Sequence, residues 1–106
     1  MIAISTLWNA MKQADGAAMI DELKGLGFDT IELSRHLTAE QIEHLKPHLK
    51  QTKPCSIHNF CPILPGIPQS EAENDPIHLS SLNKDERLEA VKRTIRTMEL
   101  AVELEV

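Results

Sequence analysis

Three polar side chains fall near the carboxyl ends of predicted strands: Ser5, Glu32 and His58. In each strand, small or polar side chains alternate with apolar ones, so one face of the sheet is apolar and the other carries these three groups. A carboxylate and an imidazole at one edge of a parallel sheet can bind a metal ion or transfer protons. The same alternation is typical of any sheet with one face in water, so the pattern leaves both interpretations open.

The elements that must position these groups alternate along the chain. Predicted strands cover residues 1–7, 29–34 and 54–60. Predicted helices cover residues 16–26, 38–50 and 83–103. Because strands that alternate with helices form βαβ units, this order predicts an α/β fold with a parallel sheet of about three strands, arranged βαβαβ-loop-α.

Local signals mark the ends of the helices. Asp15 can cap the first helix, and Gly27 stands where a glycine ends a helix in the left-handed conformation. Thr38 and Gln41 form a capping box for the second helix, which Pro47 should bend or shorten. Asn83 is a capping residue for the third helix.

Two apolar sets are expected to form the core. The first set is the apolar face of the strands: Ile2, Ile4, Ile31, Leu33, Cys55 and Ile57. The second set recurs at spacings of 3 and 4 along the last helix and predicts that this side of the helix is packed. Its members are Leu88, Val91, Ile95, Met98 and Val102.

Residues 60–83 form one long loop with prolines at positions 62, 65, 68 and 76. A loop of this length in a small domain is usually either functional or disordered. Because it follows the third strand, it should lie at the same edge of the sheet as Glu32 and His58, where it can act as a lid or a pocket wall. The prolines favour this ordered path over a disordered insertion.

The composition excludes several classes of protein. The chain has 106 residues, which is enough for one domain. Its net charge of −5 argues against a general nucleic-acid-binding protein. We expect no membrane span, because no apolar run approaches about 18 residues, and no signal peptide, because no basic segment precedes the apolar start. Cys55 and Cys61 match neither a disulfide framework nor a common zinc motif, so a cytoplasmic location is expected.

The other four histidines are expected to be solvated surface groups. They are His36, His44, His48 and His78. None has a ligand-like spacing to a carboxylate or thiol. His44 and His48 lie one helical turn apart, which can suit a metal ion, but no HExxH motif accompanies them.

Four segments carry a resemblance to a known family: IAISTLWN, GFDTIELS, SIHNFCPILPG and HLSSLNKDERLEAVKRTIRTMELAVEL. They resemble the sugar phosphate isomerase/epimerase family of xylose isomerase-like TIM barrels, a superfamily shared with apurinic-site endonucleases. The resemblance spans essentially the whole chain. Since a complete barrel takes about 250 residues, it implies that residues 1–106 are a single domain, the N-terminal part of a (β/α)8 barrel.

The resemblance also implies the residues of a pocket. Glu32, His58 and Asn59 would contact the substrate, with Trp8 and Asn9 on the rim. His58 matches a histidine that is a zinc ligand in the endonuclease branch of the superfamily and more often contacts substrate in the isomerase branch, so His58 is a possible metal ligand. The family uses a divalent metal, Mn, Mg, Zn or Co, to stabilise an enediolate. Its main ligands come from later strands that the 106 residues do not contain.

The function implied by the resemblance is that of the N-terminal fragment of a metal-dependent isomerase or epimerase. Its partner would be a small-molecule sugar or sugar phosphate, and the fragment itself is expected to be inactive. The alternative is a non-catalytic βα module that binds a partner or self-associates through open sheet edges. An apurinic-site endonuclease-like protein is a further alternative, against which the net charge of −5 counts.

Overall fold

Three parallel strands form one sheet in a computed structural model that describes residues 1–106. The strands are β1 (Ile4–Ser5), β2 (Thr30–Leu33) and β3 (Lys53–Ile57), in the spatial order β1-β2-β3. The α-helices are α1 (Gly16–Gly25), α2 (Ala39–Leu45) and α3 (Lys84–Glu103). Short 3-10 turns cover Thr6–Trp8, Lys46–His48 and Gln69–Asn74. The predicted α/β fold with a short parallel sheet is therefore confirmed, with strands shorter than predicted.

The predicted helix caps are confirmed. The Asp15 side chain accepts a hydrogen bond from the backbone of α1, and Gly27 has a φ angle of +90° after that helix. Thr38 and Gln41 form both hydrogen bonds of the capping box at the start of α2. The prediction that Pro47 shortens the second helix is confirmed, because α2 ends at Leu45 rather than near Lys50 and a 3-10 turn containing Pro47 follows.

The core lies between the sheet and the helices α1 and α2, which both pack on the apolar face of β2. Ile31 and Leu33 of β2 are fully buried there. The other core residues are Ala10, Met19, Ile20, Leu23, Leu37, Ile42, Leu45, Cys61 and Leu104. On the opposite face, Ser5, Glu32 and Ser56 share one register row and are only half-buried. One face of the sheet is thus apolar and covered, and the other is polar and accessible.

The register of β3 shifts by one residue in the middle of the strand. Ile31 pairs with Pro54, but the next residue, Glu32, pairs with Ser56, so Cys55 has no partner in β2. The prediction that Cys55 faces the helices is therefore wrong, and its side chain is exposed. Ile2 also lies outside the core, because it precedes β1 and is 79% exposed.

The prediction that the apolar stripe of α3 is packed in the core is wrong. The side chains of this stripe are 45–80% exposed. They are Leu88, Val91, Ile95, Met98 and Val102. The helix instead packs through another side, on which Ala90 and Thr97 are buried. No helix of the structure is long and apolar enough to cross a membrane.

Candidate functional site

Ser5 and Glu32 meet on the accessible face of the sheet, at the carboxyl ends of β1 and β2. The parallel register places them side by side, and the Ser5 hydroxyl donates to Glu32 Oε1 at 2.8 Å. Glu32 Oε2 accepts no hydrogen bond from the protein, and the side chain is half-buried. One carboxylate oxygen is therefore fixed, and the other can accept hydrogen bonds from a ligand.

His58 directly follows β3, and β3 pairs with β2, the strand that carries Glu32. Its backbone N–H donates to the Leu33 carbonyl at 2.8 Å, which extends the ladder between β2 and β3 by one bond. The ring is exposed, and Nδ1 lies 2.6 Å from the Asn59 carbonyl oxygen. Because a carbonyl oxygen only accepts, Nδ1 carries a proton in this contact, and in the Nδ1–H tautomer Nε2 is an acceptor.

Asn59 links this edge of the sheet to α3. Its amide nitrogen donates to Thr94 Oγ1 at 3.0 Å, and its Oδ1 is buried without a hydrogen-bond partner. Asn59 also lines a cleft.

The two residues predicted on the rim, Trp8 and Asn9, have different environments. Trp8 is 43% exposed, and the Lys12 ammonium group lies 4.4 Å from its ring centroid. Asn9 is completely buried, and its amide nitrogen donates to the Met19 carbonyl at 3.1 Å and to Glu22 Oε2 at 2.9 Å. Asn9 therefore holds α1 against the turn that follows β1, and substrate contact by either residue stays a prediction.

His36 is buried, so the prediction that it is a solvated surface histidine is wrong. Its side chain is only 4% exposed, and its Nδ1 has no hydrogen-bond partner. Burial lowers the pKa of His36 below 6.5; Glu73 opposes this shift, while Arg35 and His58 add to it. The ring is therefore neutral near pH 7. No spacing rule could have found it, because its burial comes from the distant loop that covers it.

The long loop after β3 forms a wall over the carboxyl edge of the sheet. Its Gln69 side chain anchors it, with Nε2 2.8 Å from the His36 carbonyl and 2.9 Å from Gln41 Oε1. Beneath the loop lies a cleft of about 120 Å3, which is room for several heavy atoms rather than one water molecule. A second, more open cleft adjoins Asn59 and His78.

Arg35 lines both clefts and lies two residues after the end of β2. Its guanidinium group is 3.5 Å from Glu73, whose side chain is 60% exposed. This separation is longer than a charge-assisted hydrogen bond, so the guanidinium group remains able to bind an anion. Arg93 differs, because it is paired with both Asp75 and Glu89 and is nearly enclosed.

The residues of this chain do not fit a metal centre. No group of three or more His, Cys, Asp or Glu side chains comes together in the structure. Glu32 and His58 supply at most two ligands, and no third carboxylate, imidazole or thiol joins them. This number is too small for a structural or catalytic site formed by these residues alone.

Comparison with protein-family models, curated proteins and solved structures finds no match to this chain. The α/β fold is therefore established by the structure itself, and the resemblance to the sugar phosphate isomerase/epimerase family stays a prediction.

Proposed function

We propose that this chain binds a sugar or sugar phosphate at the carboxyl edge of its sheet, as the first three βα units of a xylose isomerase-like barrel. The observation that carries the proposal is the Ser5–Glu32 hydrogen bond, which holds one carboxylate oxygen and leaves the other accessible on the polar face. A carboxylate held in this way can accept hydrogen bonds from the hydroxyl groups of a sugar.

Neighbouring groups supply the other contacts that such a ligand needs. His58 Nε2 is a second acceptor for a hydroxyl, and Arg35 is a donor that matches the geometry of a phosphate group. Arg35 lies two residues after the end of β2 and lines the clefts under the long loop. A sugar phosphate would then place its hydroxyls towards the sheet and its phosphate towards Arg35.

Turnover is not expected from these residues alone. Isomerisation or epimerisation removes a proton beside a carbonyl, and a divalent metal would stabilise the negative charge that develops on the oxygens. Glu32 and His58 orient hydroxyls in this proposal and are neither the base nor the metal ligands. The expected activity of the 106-residue chain is therefore binding without conversion.

The test is a titration of 15N-labelled protein with D-fructose 6-phosphate, followed by NMR chemical shifts. We expect shifts around Glu32, Arg35 and His58, and an affinity at least about tenfold weaker in E32Q, because a hydrogen bond to a charged group is lost. E40Q is the matched control, since Glu40 is an exposed residue of α2. Titration with inorganic phosphate and with D-fructose separates the two halves of the proposed ligand.

Two results would contradict the proposal. One is the absence of chemical-shift changes on the polar face of the sheet at about 20 mM ligand, a concentration well above the dissociation constant expected for a small polar ligand. The other is an equal loss of affinity in E32Q and E40Q, which would mean a general charge effect.

A further inference from the structure

The exposed stripe of α3 has the spacing of a coiled-coil seam. Leu88, Ile95 and Val102 take the a positions of a heptad repeat, and Val91 and Met98 take the d positions. Every one of these side chains is exposed, although the helix is well anchored through its other side. An apolar seam of this kind on the surface of a small domain is typical of an interaction site.

Charged residues flank the seam, most of them on one edge. The e positions hold Asp85, Lys92 and Glu99, which are all exposed. The g positions hold Arg87, Thr94 and Ala101, which are all half-buried, and only Arg87 is charged. Asp85 and Arg87 lie in the first turn of α3, whereas Lys92 and Glu99 lie beside the middle of the seam. The pairing of α3 with a partner helix is therefore governed electrostatically by Lys92 and Glu99.

The geometry points to α3 of a second copy of this chain as the partner, bound in the antiparallel direction. In an antiparallel pair, e positions face e positions, and a residues pack against d residues. When Ile95 packs against the partner's Met98, Val91 packs against the partner's Val102. Lys92 then faces the partner's Glu99, and by symmetry Glu99 faces the partner's Lys92, so both pairs are attractive.

Other arrangements of the two helices lose this complementarity. Sliding the antiparallel pair by one heptad brings Lys92 against the partner's Lys92, or Glu99 against the partner's Glu99. A parallel pair brings Arg87, at a g position, against the partner's Lys92. Like charges at these distances are repulsive, so the charges select one direction and one register.

This interface is independent of the proposed sugar site. Lys92 and Glu99 line neither cleft, whereas Arg93, Arg96 and Thr97 on another side of α3 line the cleft beneath the long loop. It also differs from association through open sheet edges, because α3 offers side chains and not unpaired backbone groups.

Sedimentation velocity over about 5 to 500 μM protein tests the inference, because a dimer population depends on concentration. We expect the wild-type chain to dimerise, and K92E and E99K each to weaken the dimer by about tenfold or more, through two like-charge contacts. The double variant K92E/E99K should dimerise like the wild type. Mixing K92E with E99K should also restore the dimer, because each mixed pair is attractive. K50E changes the net charge equally at an exposed position outside α3 and is the matched control.

Three outcomes would overturn the inference. They are a wild-type chain that stays monomeric at all concentrations, a dimer that K92E and K50E weaken equally, and a K92E and E99K mixture that stays monomeric while both proteins have the circular dichroism spectrum of the wild type. The last two outcomes would mean that another surface or another register holds the copies together.

Discussion

The hydroxyl group of Thr97 on α3 contacts both backbone groups of Cys61, in the segment that follows β3. The Cys61 N–H donates to Thr97 Oγ1 at 3.1 Å. The single hydroxyl proton of Thr97 is shared between the Cys61 carbonyl oxygen at 3.2 Å and the Arg93 carbonyl oxygen at 3.1 Å. One turn earlier, Thr94 accepts from the Asn59 amide. Both Thr97 and Cys61 are buried. The contacts of Thr94 and Thr97 therefore attach α3 to the segment that follows β3, which explains how the helix is held although its apolar stripe is exposed to water.

Replacing Thr97 by valine should destabilise the protein by about 2 kcal/mol, because the change keeps the shape, leaves the buried Cys61 N–H without an acceptor and removes the hydroxyl donor beside the Cys61 carbonyl. The measurement is the free energy of unfolding from urea denaturation. Thr97→Ser is the control, since it keeps the hydroxyl and removes only a methyl group. Equal stability of the two variants would show that the hydrogen bonds contribute little.

Local features of the fold were predictable from the sequence, since each depends on residues close together in the chain. Asp15 and Thr38 bond to backbone groups within three residues, so their capping roles follow from the sequence alone. The position of the strands and the side-by-side placement of Ser5 and Glu32 follow from the alternation of the strands and their parallel order.

Features set by distant contacts were not predictable in the same way. The spacing of apolar residues in α3 predicts a helix with an apolar side. It does not predict that threonines on another side attach the helix to the segment after β3. The exposure of Cys55 depends on a register shift against β2, and the burial of His36 depends on the loop that Gln69 anchors. Each of these outcomes comes from residues more than twenty positions away in the chain.

A single glycine permits the close packing of α1 on α2. A Cβ atom on Gly16 would lie 2.3 Å from the Gln41 carbonyl oxygen and 3.0 Å from the Leu45 nitrogen, so the two helices would have to move apart. We expect Gly16→Ala to lower the free energy of unfolding by about 3 kcal/mol. Gly25→Ala is the matched control at the other end of α1, because its Cβ would meet nothing within 4 Å, and it should stabilise by about 0.5 kcal/mol. Thermal or urea unfolding of both variants gives the two free energies of unfolding. Similar changes in the free energy for Gly16→Ala and Gly25→Ala would mean that α1 and α2 move apart at little cost.

The two cysteines should differ sharply in reactivity towards a thiol reagent such as DTNB. Cys55 is exposed, whereas Cys61 is 2% exposed and burial raises its pKa to about 12. In the native protein at about pH 8 we expect one thiol to react quickly. Cys55→Ser should abolish that reaction, and both thiols of the wild type should react in denaturant. Rapid labelling of native Cys55→Ser would show instead that the segment after β3 opens readily.

The buried imidazole of His36 should make stability depend on pH in the weakly acidic range. Burial lowers the pKa of His36 in the folded state below the ordinary value of 6.5; Glu73 opposes this shift, and Arg35 and His58 add to it. The unfolded chain therefore binds the proton more readily, so the free energy of unfolding should fall as the pH drops below 6.5 and level off above it. We expect His36→Gln to reduce this slope, and His78→Gln, at an exposed histidine, to leave it unchanged. Urea denaturation at a series of pH values gives the slopes, and NMR titration of the His36 ring gives its pKa directly. A slope that survives in His36→Gln, or a ring that titrates above 6.5, would place the pH dependence in another group.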